Sequence, residues 1–147
     1  MHKLLIYLFF FLSVSVYGQR VANFSYGNYD AKDFESYSFW VKANKRAEIK
    51  YTYKTNTGEF QNLTLKYIGL GVLNGEKGFK VRFPNNLELY IIPKESNLLK
   101  IAKLDGSYSK EFRWLYEGPV DGKGTFCEPC AENEQEALRI VKMYYSK

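Results

Sequence analysis

The sequence predicts a mainly β protein: an antiparallel meander of about seven strands forming a curved sheet or small barrel, with one C-terminal α-helix. Three observations predict it. Apolar and polar residues alternate with period two through several segments. Clusters of Gly, Pro, Asn and Asp punctuate those segments closely, and turns of about two to five residues force antiparallel neighbours. A helical spacing of apolar residues occurs once, near the C-terminus. With 147 residues, 46% of them hydrophobic and 18% aromatic, the chain suits one domain with a real core and is too apolar for disorder.

The chain opens on a leader. Lys3 precedes an apolar run from Leu4 to Val16, and Val16 and Gly18 are small residues placed for a cut before Gln19. Residues 1–18 therefore read as a signal peptide and 19–147 as a single β-rich domain. The run falls short of the roughly 20 apolar residues of a spanning helix, and no later stretch is apolar enough to span. The expectation is an exported protein, periplasmic or extracellular, that does not span the membrane. An aromatic stretch follows, Phe24, Tyr26, Tyr29 and Phe34, interrupted by Gly27 and Asn28. It reads either as an interaction surface or as a loop covering one end of the sheet.

The strands then follow in order. Tyr37, Phe39 and Val41 suggest the first, turned by Ala43-Asn44-Lys45. From Arg46 to Thr55, Ala47, Ile49, Tyr51 and Tyr53 alternate with Glu48, Lys50, Thr52 and Lys54, and Asn56-Thr57-Gly58 supplies a turn. Leu63, Leu65 and Tyr67 lie on a strand running toward Leu73, where Asn74-Gly75 is a strong hairpin signal. Phe79, Val81 and Phe83 return, Pro84-Asn85-Asn86 breaks, and Leu87, Leu89 and Ile91 follow before the break from Pro93 to Asn97. The last pair is Leu98 to Leu104 and Tyr108 to Tyr116, joined through Asp105-Gly106. A helix over about 131–145 has acidic residues early (Glu132, Glu134, Glu136) and Lys142 late, which suits its dipole. Ala137, Leu138, Val141, Tyr144 and Tyr145 form its apolar face, which would cover the apolar side of the sheet.

The formal net charge is +5, and losing Lys3 with the leader takes the 21 Lys and Arg to 20 against 16 Asp and Glu. Most cations alternate with apolar residues along strands, as do Lys50, Lys54, Lys80 and Arg82, so they read as a solvated face that also discourages edge aggregation. Nucleic acid is not an expected partner. Anionic cell-surface material remains a minor option.

The chemistry available is narrow. The single histidine is His2, inside the leader, so a mature chain has no imidazole for a Ser-His-Asp or Cys-His constellation. Glu117, Asp121 and Glu128 leave a carboxylate pair formally open, whereas Gly118, Gly122 and Gly124 lack the Lys-Ser/Thr of a phosphate loop. Cys127-Glu128-Pro129-Cys130 is the one local motif with chemistry in it. In an exported protein the pair reads first as a disulfide staple between meander and helix. A thioredoxin-like redox pair is the sharper alternative, and zinc would need ligands the chain does not supply. No catalytic residue, metal or cofactor is assigned.

Phe112, Trp114 and the run Tyr116-Glu117-Gly118-Pro119 through Gly124-Thr125-Phe126-Cys127 to Cys130-Ala131-Glu132 resemble the closing segment of a group of small exported bacterial proteins of unknown function. The resemblance implies export and no particular activity. Tyr116 to Phe126 also has the outline of one membrane-occupation-and-recognition repeat, but that family works by tandem copies and this chain has one. The meander with a final helix is similar in outline to lipocalin-type barrels, with Ser38 where those barrels carry glycine two residues before Trp40. Two function classes follow. One is a non-enzymatic binding module whose inward Tyr51, Tyr53, Tyr67, Phe79, Phe83, Phe112, Trp114 and Tyr116 enclose a small apolar ligand. The other is a cell-envelope protein-interaction or structural module. A thiol-disulfide redox protein is the third and weaker reading.

Overall fold

The computed structural model describes residues 18–42, 47–95, 97–115, 127 and 129–146. Within them the expected mainly β architecture is present as a closed, antiparallel barrel of eight strands in sequential order. The strands are β1 (Arg20–Tyr26), β2 (Glu35–Val41), β3 (Ala47–Lys54), β4 (Phe60–Leu73), β5 (Glu76–Arg82), β6 (Glu88–Pro93), β7 (Leu98–Lys103) and β8 (Ser109–Trp114). The C-terminal segment forms α1 (Glu134–Lys142), continued by a 3-10 turn, Met143–Ser146.

The eighth strand is the first in the chain. Ala22, Phe24 and Tyr26 alternate with Val21, Asn23 and Ser25, so half of the N-terminal aromatic stretch is strand and only Tyr29 and Phe34 are left to the loop. β1 closes the barrel by pairing Phe24 with Trp114 and Ser25 with Arg113 on β8. That seam is short. It is extended by the Leu115 N–H, which donates to the Asn23 carbonyl at 2.8 Å, and by residues 129–131 running alongside β1. There the Val21 N–H donates to the Pro129 carbonyl and the Ala131 N–H to the Val21 carbonyl, both at 2.8 Å.

Period-two alternation places one set of side chains inside. Phe24, Phe39, Ile49, Leu65, Phe79, Val81, Ile91, Leu99 and Phe112 form a single buried core that continues into Ala137, Ile140, Val141 and Tyr144. The helix is thus a stopper across one end of the barrel. Asn133 caps it, its side chain accepting from the Glu136 N–H at 2.8 Å, and Glu136 in turn accepts from the Glu132 N–H and pairs with Arg20. These contacts seat the helix start against the beginning of β1.

The β4–β5 hairpin is longer than the barrel wall. A bulge between Tyr67 and Gly69 and the facing pair Gly71 and Gly78 let it bend over the outer surface of β6 and β7. A Cβ on Gly78 would stand 2.5 Å from the Ile91 carbonyl oxygen, so only glycine permits this approach. Ile92 and Ala102 point away from the barrel axis yet are each only 1% exposed, being covered from outside. Asn74 and Gly75, both at positive φ, form the predicted tight turn at its tip.

Candidate functional site

In a meander, alternate turns fall at the same end. The connections 27–34, 55–59, 83–87 and 104–108 therefore surround the end opposite the helix, and there the barrel is open. A cavity of about 380 Å³ descends from this mouth, with mainly apolar walls. Tyr37 (β2), Tyr51 and Tyr53 (β3), Leu63 (β4), Phe83, Leu89 (β6), Ile101 (β7) and Phe112 (β8) supply them. Tyr37 and Phe112 meet edge to face at 5.0 Å, Tyr51 and Phe83 at 5.3 Å, and Tyr51 lies nearly parallel to Tyr53 at 5.5 Å.

A polar cluster occupies one side of the mouth. The Lys110 ammonium reaches across β1, sits 3.8 Å from the centroid of the Tyr26 ring and donates to Glu35 at 2.9 Å. Burial alone would lower the Lys110 pKa, but the hydrogen bond and the charge of Glu35 outweigh it and raise it, so the ammonium stays protonated. Burial pushes the Tyr37 and Tyr51 phenols up, helped by the nearby Glu35 carboxylate, to which Tyr51 is also hydrogen-bonded. Both remain neutral at ordinary pH, Tyr51 donating its O–H to Glu35. The rim beyond is apolar: each of the four loops or its flank carries an exposed large side chain, Tyr29, Phe60, Leu87, and both Leu104 and Tyr108. Tyr29 and Phe60 pack with tilted rings at 4.8 Å, with Lys54 over the Phe60 ring.

The residues expected to bind a ligand divide by depth. Tyr51, Tyr53 and Phe112 line the cavity. Tyr67 and Phe79 face inward at the other end, beneath the stopper: the Tyr67 hydroxyl donates to the Tyr144 carbonyl at 2.9 Å, and Phe79 stacks on Tyr144 at 5.3 Å. Trp114 ends β8 and packs, partly buried, against the core, with its backbone N–H bonded to Asn97. Tyr116 lies outside the described residues, as do Glu117, Asp121 and Glu128. Glu35, Lys103, Tyr108 and Lys110 were not among the expected site residues. Their positions next to turns that share an end were the available signal.

Cys127 and Cys130 form a disulfide, with Cα atoms 5.4 Å apart. Cys130 is nearly buried and lies beside β1. The N-cap of α1 is Asn133, beyond both cysteines, so neither sulfur occupies the helix N-terminus that would depress a thiol pKa. Among the described residues no group of three His, Cys, Asp or Glu side chains is arranged to hold a metal, and no helix is long and apolar enough to cross a membrane. A broader and more open groove of about 610 Å³ at the β1–β8 seam is lined by Ser25, Tyr26, Tyr108, Lys110, Glu111 and Arg113.

The chain matches no protein-family model, curated protein or solved structure with which it was compared.

Proposed function

We propose that the protein is an exported, non-enzymatic binding module that holds a small, mainly apolar ligand in the mouth of its barrel. The observation that carries this reading is the cavity itself. Its volume of about 380 Å³ falls in the range of small-molecule sites, and its apolar walls carry a few placed polar groups. Packed interiors leave few voids larger than a water molecule, so an open, aromatic-lined recess of this size departs from ordinary core filling. Export is supported by the apolar leader and by a disulfide compatible with an oxidising compartment. The absence of histidine after His2 supports a binding role over acid–base catalysis.

One observation favours the second reading, an envelope interaction module: the exposed apolar side chains of the rim would also suit a protein partner. Titration with the neutral, environment-sensitive dye N-phenyl-1-naphthylamine separates the two. The binding reading expects saturable fluorescence enhancement that Leu89→Trp, which fills the cavity, abolishes. No enhancement, or one indifferent to Leu89→Trp, turns the proposal toward a protein partner. Native mass spectrometry of the exported protein adds a second test, since a bound mass that leaves on denaturation would report the natural ligand.

A further inference from the structure

We infer that the mouth selects a flat aromatic monocarboxylate, its ring system against the Tyr and Phe walls and its carboxylate at Lys103. The inference rests on the mouth being a ligand site and adds the chemical class of the ligand. Because α1 closes the opposite end, whatever enters does so apolar end first and leaves its polar end at the rim. The cavity of about 380 Å³ lies near the small end of small-molecule sites, which run from about 300 to 1,000 Å³. Its aromatic walls favour a flat body over a flexible chain. Rings gain offset-stacked and edge contacts at about 4.5–7 Å beyond their area burial, and a rigid ligand loses less conformational freedom on binding.

Charge decides the head group. Two charged residues line the cavity, Glu35 and Lys103. Glu35 is already answered by Lys110 at 2.9 Å. Lys103 enters no ion pair among the described residues. Asp105, which feels its charge, is an exposed turn residue whose carboxylate accepts from the Ser107 N–H at 2.8 Å. Lys103 is thus the one charged residue of the lining with no ion-pair partner among the described residues. The same lining offers Asn85, whose oxygen is taken by the Leu87 N–H at 3.0 Å so that its NH2 group remains to donate, and Tyr108. An ammonium, an amide NH2 and a phenol call for an acceptor carrying negative charge, which a carboxylate is and an amine or alcohol is not.

The experiment is a calorimetric titration with 2-naphthoate and its neutral isostere 2-naphthamide, using the wild type, Lys103→Met and Leu89→Trp. Lys103 is exposed, so its replacement leaves the core intact. The expected result is that Lys103→Met weakens naphthoate about two- to fivefold, the range of an exposed ion pair, and leaves naphthamide unchanged. The difference should shrink at high salt. If Lys103→Met shifts both ligands alike, or neither, the anionic head is wrong while the mouth remains a ligand site. If decanoate binds more tightly than naphthoate, the flat body is wrong. If neither naphthyl ligand binds the wild type, or Leu89→Trp leaves both unaffected, the mouth reading itself falls; should Leu89→Trp not fold, Leu63→Phe fills the cavity from another wall.

Discussion

Tyr144 is the wedge of the stopper, and its replacement measures how firmly the helix closes the barrel. Its side chain is 1% exposed. The ring stacks on Phe79 at 5.3 Å and meets Phe39 edge-on at 5.9 Å, while its hydroxyl donates between the Trp40 carbonyl at 3.1 Å and the Glu48 carbonyl at 3.2 Å. Tyr144→Phe keeps the ring and removes one neutral hydrogen bond, for a loss of about 1 kcal/mol. Tyr144→Ala removes the ring as well, and truncating a large aromatic in a core costs about 3–5 kcal/mol, so ~4 kcal/mol is expected in total. Against a domain stability of about 5–15 kcal/mol, that is a quarter or more of the whole. Urea unfolding followed by far-UV circular dichroism reads it directly. With a slope of about 2 kcal/mol per molar, Tyr144→Ala should lower the midpoint by about 2 M and Tyr144→Phe by about 0.5 M, with the slope unchanged. Equal losses from the two variants would refute the reasoning, because the ring would then contribute nothing beyond its hydroxyl and α1 could not be wedged into the core.

Two further outcomes follow from the fold. Gly78→Ala should destabilise by about 1–3 kcal/mol, since its Cβ would press 2.5 Å from the Ile91 carbonyl oxygen and 2.9 Å from Ile92. Gly71→Ala meets the far end of the Tyr90 side chain, which can swing away, so its midpoint shift in urea unfolding should be smaller than that of Gly78→Ala. The pH dependence is set in part by Glu136. Burial pushes its carboxyl up, but the Glu132 N–H and the Arg20 guanidinium outweigh this and hold it below the usual carboxylate range. A depressed folded-state value means stability that is present above the unfolded pKa of about 4.3 and is lost as pH falls through the folded value. Melting temperature should therefore drop below about pH 4 in the wild type, and less steeply in Glu136→Gln. Parallel curves would show that the Arg20 pair is not coupled to folding.

Much of this architecture was legible because alternation is a local property. Glu48 to Lys54, the Asn74-Gly75 turn and the inward parity of Phe79, Val81 and Phe112 all follow from neighbouring residues. Closure was not legible, because it depends on Phe24 and Ser25 meeting Trp114 and Arg113 from near the two ends of the chain. β1, broken soon after by Gly27, looks like an aromatic stretch until its partner is known. Parity also says whether a side chain faces inward but not how far along the axis it lies. That is why Tyr51 and Tyr53 line the cavity while Tyr67, on the same inward face, is tied to the helix. The helix starts at Glu134 rather than near residue 131: Asn133 caps it, Glu134 and Glu136 occupy its first turn, and the Ala131 N–H is bonded to the Val21 carbonyl instead. Proximity to turns places Glu35 and Lys110 at the same end of the barrel, but their pairing across the intervening β1 leaves no trace in sequence spacing.

A barrel stoppered at one end has a single doorway. Any molecule that occupies the recess must leave by the route through which it arrived, past Tyr29, Phe60, Leu87 and Tyr108, and a newcomer waits until the resident has gone. Exchange is then first order in the loaded protein and indifferent to how much competitor surrounds it. Residence time becomes a property of the four loops, while the strength of the vessel belongs to Tyr144 and its neighbours at the far end. The two quantities can be altered separately.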